Sequence, residues 1–297
     1  MIIPQKLQIG DKIGIISTAR KITIEELTPA IKILESWGLK AVLGDNLFEV
    51  DNQFSGTVKQ RTADLQGMID DKSIKAILCA RGGYGTVQIV DNIDFSNLKN
   101  NSKWIIGYSD VTVLHSHLHN LGIASLHATM PINFEKNTKE SLDSLKNSLF
   151  GNENSIECKA HPFNRFGKIN AEIVGGNLSI LYSLLGSDSD INTDGKILFI
   201  EDLDEYLYHI DRMLINLKRN GKFTKLKGLI VGGMSGMNDN DIPFGKTAEK
   251  IISEQTKGYD FPICFGFPAG HLEDNRCIRL GVKSVLEIYE NGVSLSQ

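Results

Sequence analysis

WIIGYSDVT, residues 104–112, is the stretch from which both the fold and the chemistry of this chain can be approached. An apolar strand-like run ends at Gly107, a serine follows, and a helical pattern continues over residues 111–121. A serine on such a bend exposes its hydroxyl at a helix N-terminus, where free N–H groups and the helix dipole stabilise developing negative charge. The pattern resembles a nucleophile elbow in which valine replaces the second glycine of G-x-S-x-G. Alternatively, Ser109 or Asp110 only caps the helix.

The N-terminal half of the 297-residue chain alternates short apolar runs with helix-periodic segments. We predict strands at residues 12–17, 40–43, 74–79 and 103–106. Helical patterns occur near residues 23–37, 58–69, 86–90 and 111–121. Strands that alternate with helices form a mostly parallel sheet covered on both faces, so the predicted fold class is α/β. Ligands of such sheets bind beyond the carboxyl ends of the strands.

The C-terminal half resumes strand and helix signals after a polar stretch. This stretch, residues 152–168, predicts a linker between an N-terminal domain of residues 1–151 and a C-terminal domain of residues 169–297. Strand-like or helix-like segments of the second domain are expected at residues 171–174, 177–185, 196–200, 206–217 and 228–231. The tail, residues 278–295, has the pattern of short strands joined by turns.

Composition argues against several classes of protein. The chain has 41% hydrophobic and 23% charged residues and a formal net charge of -4. A general binder of nucleic acid or anionic membranes would need a basic face. The N-terminus has no signal-peptide pattern, no apolar run reaches the length of a membrane span, and the four cysteines are widely separated. We therefore expect a soluble cytoplasmic protein that binds neither nucleic acid nor membranes.

A serine nucleophile needs a base to take its proton, and the chain has seven histidines. His271 is a candidate because it ends the loop-like segment 266–271 after the apolar run 261–265; an exposed loop histidine is the alternative. His127 is a weaker candidate. Three histidines share the helix after Ser109 but cannot converge on one face, and no metal-ligand motif occurs. We therefore expect neither a metal nor a cofactor.

Two further segments follow predicted strands. Glu201 ends the apolar run 196–200, where a carboxylate must be solvated, paired or hydrogen-bonded. It can orient the base or, with Asp202 and the acidic residues that follow, belong to a helix N-terminus. The glycine loop RGGYG, residues 81–85, either allows a ligand to approach the backbone closely or forms a plain tight turn.

Five motifs, in order along the chain, resemble those of the LD-carboxypeptidases. They are RGGYG at residues 81–85, GYSD at 107–110, GGNL at 175–178, LFIED at 198–202 and GH at 270–271. This family of serine peptidases includes the muramoyltetrapeptide carboxypeptidases and the microcin immunity peptidases. The resemblance extends over almost the whole chain and is far more specific than any single motif.

The resemblance implies a catalytic triad in which Ser109 is the nucleophile, His271 its general base and Glu201 the carboxylate that orients the base. It also implies an oxyanion hole formed by the backbone N–H groups of Gly83 and Asp110. The family fold is a Rossmann-like N-terminal domain with a mostly parallel sheet and a smaller β-rich α/β C-terminal domain. The triad is assembled across the interface of the two domains.

The family divides by substrate. Its murein-recycling members release the terminal D-alanine of a tetrapeptide, whereas its microcin members cleave aminoacyl-nucleotides and stack C-domain tryptophans on the nucleobase. Here Trp37 and Trp104 both fall in the first half, which favours murein tetrapeptide, although Tyr206, Tyr208 or Phe223 could provide a platform. A non-catalytic small-molecule-binding protein is a third hypothesis, against which the complete triad argues. We also expect a homodimer.

Arg81 opens the glycine loop that would hold one oxyanion donor. A carboxypeptidase must bind the free carboxylate of the departing residue, and a cation near the nucleophile is a suitable partner. We therefore expect Arg81 to bind that carboxylate. The alternative is a structural ion pair with an acidic neighbour across the domain interface.

Overall fold

The computed structural model describes residues 1–297 and contains two main sheets and seven α-helices. The strands are β1 Lys12–Ile16, β2 Lys40–Leu43, β3 Val50–Asp51, β4 Phe54–Ser55, β5 Ile74–Cys79, β6 Trp104–Gly107, β7 Ser125–His127, β8 Ser155–Lys159, β9 Gly167–Asn177, β10 Ile197–Leu203, β11 Gly228–Ser235, β12 Ile263–Cys264, β13 Ile278–Leu280, β14 Lys283–Tyr289 and β15 Gly292–Ser296. The helices are α1 Ile24–Ser36, α2 Val58–Asp70, α3 Thr112–Asn120, α4 Lys139–Phe150, α5 Leu178–Ser183, α6 Leu207–Arg219 and α7 Ala248–Gln255. None of them is long and apolar enough to cross a membrane.

The first sheet has the strand order β13-β7-β6-β5-β1-β2 and is parallel except for β13. Side chains of β1 alternate between two cores. Ile13 and Ile15 lie in one core with residues of α1 and α4, whereas Ile16 lies in the other with residues of α2 and α3. Helices therefore cover both faces, which confirms the predicted α/β class with a mostly parallel sheet.

The second sheet has the order β12-β11-β10-β9-β14-β15-β8. Strands β9 to β12 are parallel, whereas β14, β15 and β8 are antiparallel. Residues of α5, α6 and α7 share a core with the parallel part of this sheet. The expected β-rich α/β architecture of the C-terminal half is therefore confirmed.

One segment crosses from the second sheet to the first. It leaves β12, which pairs with β11, and ends in β13, which pairs antiparallel with β7 through Ile278 and His127. The loop that carries His271 therefore begins at a strand of the second sheet and ends at a strand of the first sheet. This crossing also places a strand of the C-terminal half in the N-terminal sheet.

Two segments have a different secondary structure from the one predicted from the sequence. The predicted linker, residues 152–168, contains β8, which forms the edge of the second sheet beside β15. Its sequence, SIECK, does alternate, but it has only two apolar residues, Ile156 and Cys158, so the pattern is too short to stand out in a polar stretch. The predicted helix at residues 86–90 is instead two 3-10 turns, Thr86–Gln88 and Val90–Asn92.

Candidate active site

Ser109 lies where β6 turns into α3. It begins a 3-10 turn, Ser109–Val111, and its φ of 62° lies in the left-handed region that non-glycine residues rarely adopt. Gly107 permits the tight bend, because a Cβ there would be 2.8 Å from the Val111 side chain. Val111 is fully buried against this glycine. The valine of the G-x-S-x-V pattern therefore packs the elbow, which presents Ser109 at the end of a parallel strand.

Neither Ser109 nor Asp110 caps the following helix with its side chain. The buried Asp110 carboxylate instead accepts hydrogen bonds from the Thr86 backbone N–H at 2.8 Å and the Thr86 hydroxyl at 2.6 Å. Burial raises the pKa of Asp110, although these hydrogen bonds oppose the shift. Because Thr86 directly follows the glycine loop, this contact ties the loop to the serine turn.

The glycine loop, residues 81–85, runs beside the serine. A Cβ at Gly82 would be 3.2 Å from the Ser109 Cβ, so the loop backbone passes directly against Ser109. The Arg20 side chain packs over Gly83, the next residue. The loop therefore forms one wall of a cleft that Ser109 also lines, rather than an isolated turn.

His271, which lines this cleft, forms a hydrogen-bonded pair with the buried Glu201. Glu201 ends the apolar part of β10 and is 0% exposed. Its Oε2 accepts from His271 Nδ1 at 2.7 Å and from the His271 backbone N–H at 3.2 Å. Burial alone would lower the pKa of His271, but the hydrogen bond and negative charge of Glu201 outweigh it and raise the pKa above 6.5.

Ser109 and His271 line one cleft of about 450 Å³. Because the carboxylate can only accept, the bond to Glu201 leaves the Nδ1 proton on His271 and makes Nε2 the free acceptor. No hydrogen bond joins Ser109 Oγ to His271 in this structure, and such bonds often tighten only when substrate binds. The cleft therefore brings together the hydroxyl, imidazole and carboxylate that the sequence predicted, with the first two not yet in contact.

Asp202 also lines the cleft, although the sequence analysis gave it no role beyond the LFIED motif and the alternative of an acidic helix N-terminus. It belongs to β10, and its buried carboxylate accepts from Asn177 Nδ2, Ser179 N and Leu203 N, each at 2.9 Å. Burial, together with the charge of Glu201, raises the pKa of Asp202 to about 7. Its position at the end of a parallel strand was the signal that could have identified it.

Two arginines line the cleft on the glycine-loop side. Arg81 donates from its guanidinium to the Lys21 carbonyl at 3.1 Å and forms no ion pair with a carboxylate, contrary to the structural alternative. Arg20, which sequence reasoning missed, follows the end of β1 and also has no carboxylate partner. Arg20 could have been predicted in the same way as the glycine loop, because it also follows the carboxyl end of a parallel strand.

The other histidines lie outside the cleft. His115 is buried, with Nε2 donating to the Gly107 carbonyl at 2.9 Å and Nδ1 facing Ser125 Oγ at 2.8 Å, so it supports the elbow from behind. His127 is also fully buried. No three His, Cys, Asp or Glu side chains are grouped as a metal site would require.

The aromatic residues considered as stacking platforms divide into two groups. Phe223 is fully buried in the core, which excludes it, and Trp104 is also buried. Tyr206 and Tyr208 are 42% and 40% exposed, and their ring centroids lie 5.5 Å apart. Tyr206 and Tyr208 are therefore the exposed members of this group, although neither lines the cleft.

Two domain models of one protein family together match most of the chain. Residues 13–128 match the LD-carboxypeptidase N-terminal domain, and residues 170–286 match the LD-carboxypeptidase C-terminal domain. The chain is 35% identical over 297 residues to the "Probable murein peptide carboxypeptidase" of Bacillus subtilis, covering 97% of this chain and 92% of that protein.

Two further relatives are a muramoyltetrapeptide carboxypeptidase and a microcin self-immunity protein. The crystal structure of muramoyltetrapeptide carboxypeptidase from Oxalobacter formigenes superposes with a TM-score of 0.87 at 25% identity, covering 96% of this chain and 98% of that one. The "Microcin C7 self-immunity protein MccF" of Escherichia coli is 25% identical over 335 residues, covering 98% of this chain and 94% of that protein.

Proposed function

Because this chain belongs to the LD-carboxypeptidase family, we propose that it hydrolyses the L,D peptide bond that releases terminal D-alanine from murein tetrapeptide. Its class, a serine-type LD-carboxypeptidase, follows from the family and from relatives named for this activity. The observation that carries the mechanism is the placement of the strained Ser109 and the His271–Glu201 pair on one cleft. A non-catalytic binding protein would not need that arrangement.

In the proposed reaction, His271 Nε2 takes the proton of Ser109 Oγ while Oγ attacks the carbonyl carbon of the third residue. The His271 Nδ1 proton stays donated to Glu201 as the ring becomes positively charged. The C–N bond then breaks, His271 protonates the leaving amine of D-alanine, and the peptide remains as an ester on Ser109. A water molecule then attacks the ester carbonyl while His271 takes its proton; the bond from the carbonyl carbon to Oγ breaks, and His271 returns the proton to Ser109 Oγ.

We assign the oxyanion hole to the backbone N–H groups of Gly83 and Asp110. Both residues line the cleft, and Asp110 directly follows Ser109. The hydrogen bonds between Asp110 and Thr86 fix the serine turn to the glycine loop, so the two backbone segments hold one relative position. Donors that are fixed before the reaction need no reorganisation when negative charge develops.

The activity should rise with pH through an inflection above 6.5, because His271 must be neutral to act as base and Glu201 raises its pKa. Asp202 titrates near 7 in the same cleft, so kcat/KM should be recorded for the wild type and for Asp202→Asn. The variant should keep one inflection, moved slightly down because the Asp202 charge also raises the pKa of His271. An inflection well below 6.5 in both enzymes would argue against this base.

Cleavage of aminoacyl-nucleotides is the second candidate function. The similarity to the microcin self-immunity protein and the exposed Tyr206–Tyr208 pair favour it. Against it, neither tryptophan is placed to stack on a base: Trp104 is buried and Trp37 packs against Phe134. Murein tetrapeptide therefore remains the better-supported substrate.

The two substrate classes can be separated by measuring kcat/KM for both with one enzyme preparation. The panel contains tetrapeptides with lysine or diaminopimelate at the third position and an aminoacyl-nucleotide. We expect at least about a hundredfold preference for a tetrapeptide, equivalent to about 2.7 kcal/mol in transition-state binding. Tyr206→Ala should leave tetrapeptide turnover unchanged. A preference for the aminoacyl-nucleotide that disappears in Tyr206→Ala would instead establish cleavage of aminoacyl-nucleotides as the function.

Arg81 should bind the free carboxylate of the departing D-alanine, with Arg20 as a second cation in the same part of the cleft. Amidating the terminal residue should therefore weaken catalysis by the wild type far more than catalysis by Arg81→Ala. Measuring Arg20→Ala with the free and the amidated tetrapeptide shows whether both arginines bind the carboxylate. Equal losses on amidation in all three enzymes would assign recognition of the carboxylate to the backbone or to the C-terminal half.

A role in murein recycling, a cytoplasmic location and a homodimeric state belong to the same proposal. They are predictions from the sequence and the family resemblance. Sedimentation of the purified protein would test the dimer, and fractionation of cells that express it would test the compartment.

A further inference from the structure

A buried arginine contacts the glycine loop from outside the cleft and donates only to uncharged oxygens. Arg61 belongs to α2, is 2% exposed and does not line the cleft. Its guanidinium donates from Nη1 to the carbonyls of Thr18 at 2.8 Å and Gly85 at 3.0 Å, from Nη2 to Gln88 Oε1 at 2.7 Å and from Nε to the Gly56 carbonyl at 3.4 Å. Burying a charge that has no hydrogen-bonded carboxylate is costly, so these contacts call for a physical reason.

The two carbonyls bound by Nη1 belong to two different backbone segments beside the cleft. Thr18 follows β1 and leads to Arg20, whereas Gly85 ends the glycine loop. One nitrogen therefore joins the two segments. The hydroxyls of Thr18 and Thr86 form a second bond between them at 2.7 Å. Together these bonds hold the segment after β1 and the glycine loop in one arrangement.

Gly85 allows the arginine to approach the loop closely. Its φ of 149° lies in the region that favours glycine, and a Cβ there would be 2.6 Å from Arg61 Nη1 and 2.9 Å from the Ala19 Cα. Any side chain at this position would displace the guanidinium or the loop. The contact with Arg61 therefore accounts for the last glycine of the RGGYG motif.

The same stretch of backbone leads to both proposed oxyanion donors. Gly83 lies two residues before Gly85, and the Arg20 side chain packs over Gly83. Thr86 follows Gly85 and donates to the Asp110 carboxylate from its backbone N–H and its hydroxyl. A shift of the backbone at Gly85 would therefore change the position of the Gly83 N–H relative to the Asp110 N–H.

The charge of Arg61 also favours the ionised form of Asp110, which accepts the two bonds from Thr86. Burial raises the pKa of Asp110, whereas the hydrogen bonds from Thr86 and the positive charge of Arg61 oppose this rise. A guanidinium stays protonated in proteins, so this charge is present throughout the working pH range.

We propose that Arg61 is a positioning residue for the oxyanion hole. It holds the glycine loop against the segment after β1 and thereby keeps the Gly83 N–H in place relative to the Asp110 N–H. This inference rests on the proposed serine mechanism and on the assignment of these two donors. It explains why a side chain with a planar fork of donors occupies a buried position of α2 that faces two loop carbonyls.

Two substitutions at position 61 and one control test this role. Arg61→Met removes the charge and the donors but keeps an unbranched apolar stem. Arg61→Lys keeps the charge, but its ammonium ends one atom short of the position of Nη1. Arg165→Met is the matched control, because Arg165 lies outside the cleft and also donates to backbone carbonyls, those of the C-terminal half.

We expect Arg61→Met to lower kcat by about ten- to a hundredfold with KM nearly unchanged, because a displaced oxyanion donor weakens only the transition state. Arg61→Lys should lose about tenfold although it keeps the charge. Arg165→Met should keep the wild-type kcat. The inflection of the pH profile should stay at its wild-type position in all three variants, because the His271–Glu201 pair is unchanged. All rates are measured below the unfolding temperature of each variant.

The rate at which a fluorophosphonate labels Ser109 keeps this test independent of the murein substrate. The phosphoryl oxygen of the probe gains negative charge as Ser109 attacks, so it uses the same donors as a peptide carbonyl. Labelling should slow in both Arg61 variants by roughly the factor seen in kcat and stay at the wild-type rate in Arg165→Met.

Three results would overturn the proposal: wild-type labelling and kcat in folded Arg61→Met, an equal loss in Arg165→Met, or a shifted pH inflection in the Arg61 variants. The first would leave Arg61 a packing role, the second would indicate general destabilisation, and the third would indicate an effect through His271. If the tetrapeptide is not cleaved, the labelling rates still decide the role of Arg61. A wild-type protein that the probe does not label would overturn the serine mechanism and this proposal with it.

Discussion

Ser109→Ala should lower the turnover of the enzyme by at least about a thousandfold while the protein remains folded. Ser109 has a strained φ of 62° and lines the cleft with His271, so the change removes the attacking oxygen and little else. Turnover is measured as D-alanine release, and folding as thermal unfolding. Residual hydrolysis then comes only from binding and the oxyanion donors.

The matched control is Ser183→Ala, an exposed serine of α5 whose hydroxyl donates to the Ile180 carbonyl. It should keep full activity. Retention of more than about a tenth of the activity by Ser109→Ala would correspond to only about 1.4 kcal/mol in the barrier. Such a result would be incompatible with a serine nucleophile at this position.

Glu201→Gln should have the second-largest effect, a loss in kcat on the order of a thousandfold or more. The Glu201 Oε2 accepts two hydrogen bonds from His271, one from the ring. An amide in its place has nearly the same shape but lacks the charge that holds the proton on Nδ1, so the ring can adopt the wrong tautomer. The inflection on the acid side of the pH profile should also move to lower pH, because Glu201 raises the pKa of His271.

Glu205→Gln is the control for this change. Glu205 accepts from His209 Nδ1 at 2.6 Å, so it forms the same type of pair four residues further on, outside the cleft. It should retain wild-type kcat and pH profile. Near-normal turnover by Glu201→Gln would transfer the acidic role to Asp202 or remove it from the mechanism.

The parts of the site that sequence reasoning located share one physical cause. Ser109 and the glycine loop follow strands with apolar runs, and Glu201 follows the apolar part of β10; such runs mark parallel strands buried on both faces. Because the carboxyl ends of these strands meet at one edge, their following residues were expected near one another. The structure brings Ser109, His271, Gly83 and Asp110 to one cleft, with Glu201 behind His271.

The features that were not predicted depend on contacts distant in sequence. The pairing of β13 with β7 anchors the His271 loop in the first sheet, yet its three residues carry no signal of their partner. The edge strand β8 has only two apolar residues, Ile156 and Cys158, so the polar stretch around it was interpreted as a linker. The predicted boundaries of the two domains stay predictions.

The most direct test of the account is mass spectrometry of the products formed from a murein tetrapeptide in H₂¹⁸O. The account predicts equal amounts of tripeptide and D-alanine, with one ¹⁸O in the new carboxylate of the tripeptide and none in D-alanine, because water attacks the ester carbonyl on Ser109. Ser109→Ala should yield neither product. Intact tetrapeptide after incubation with the wild type, or the same products from Ser109→Ala, would contradict the account.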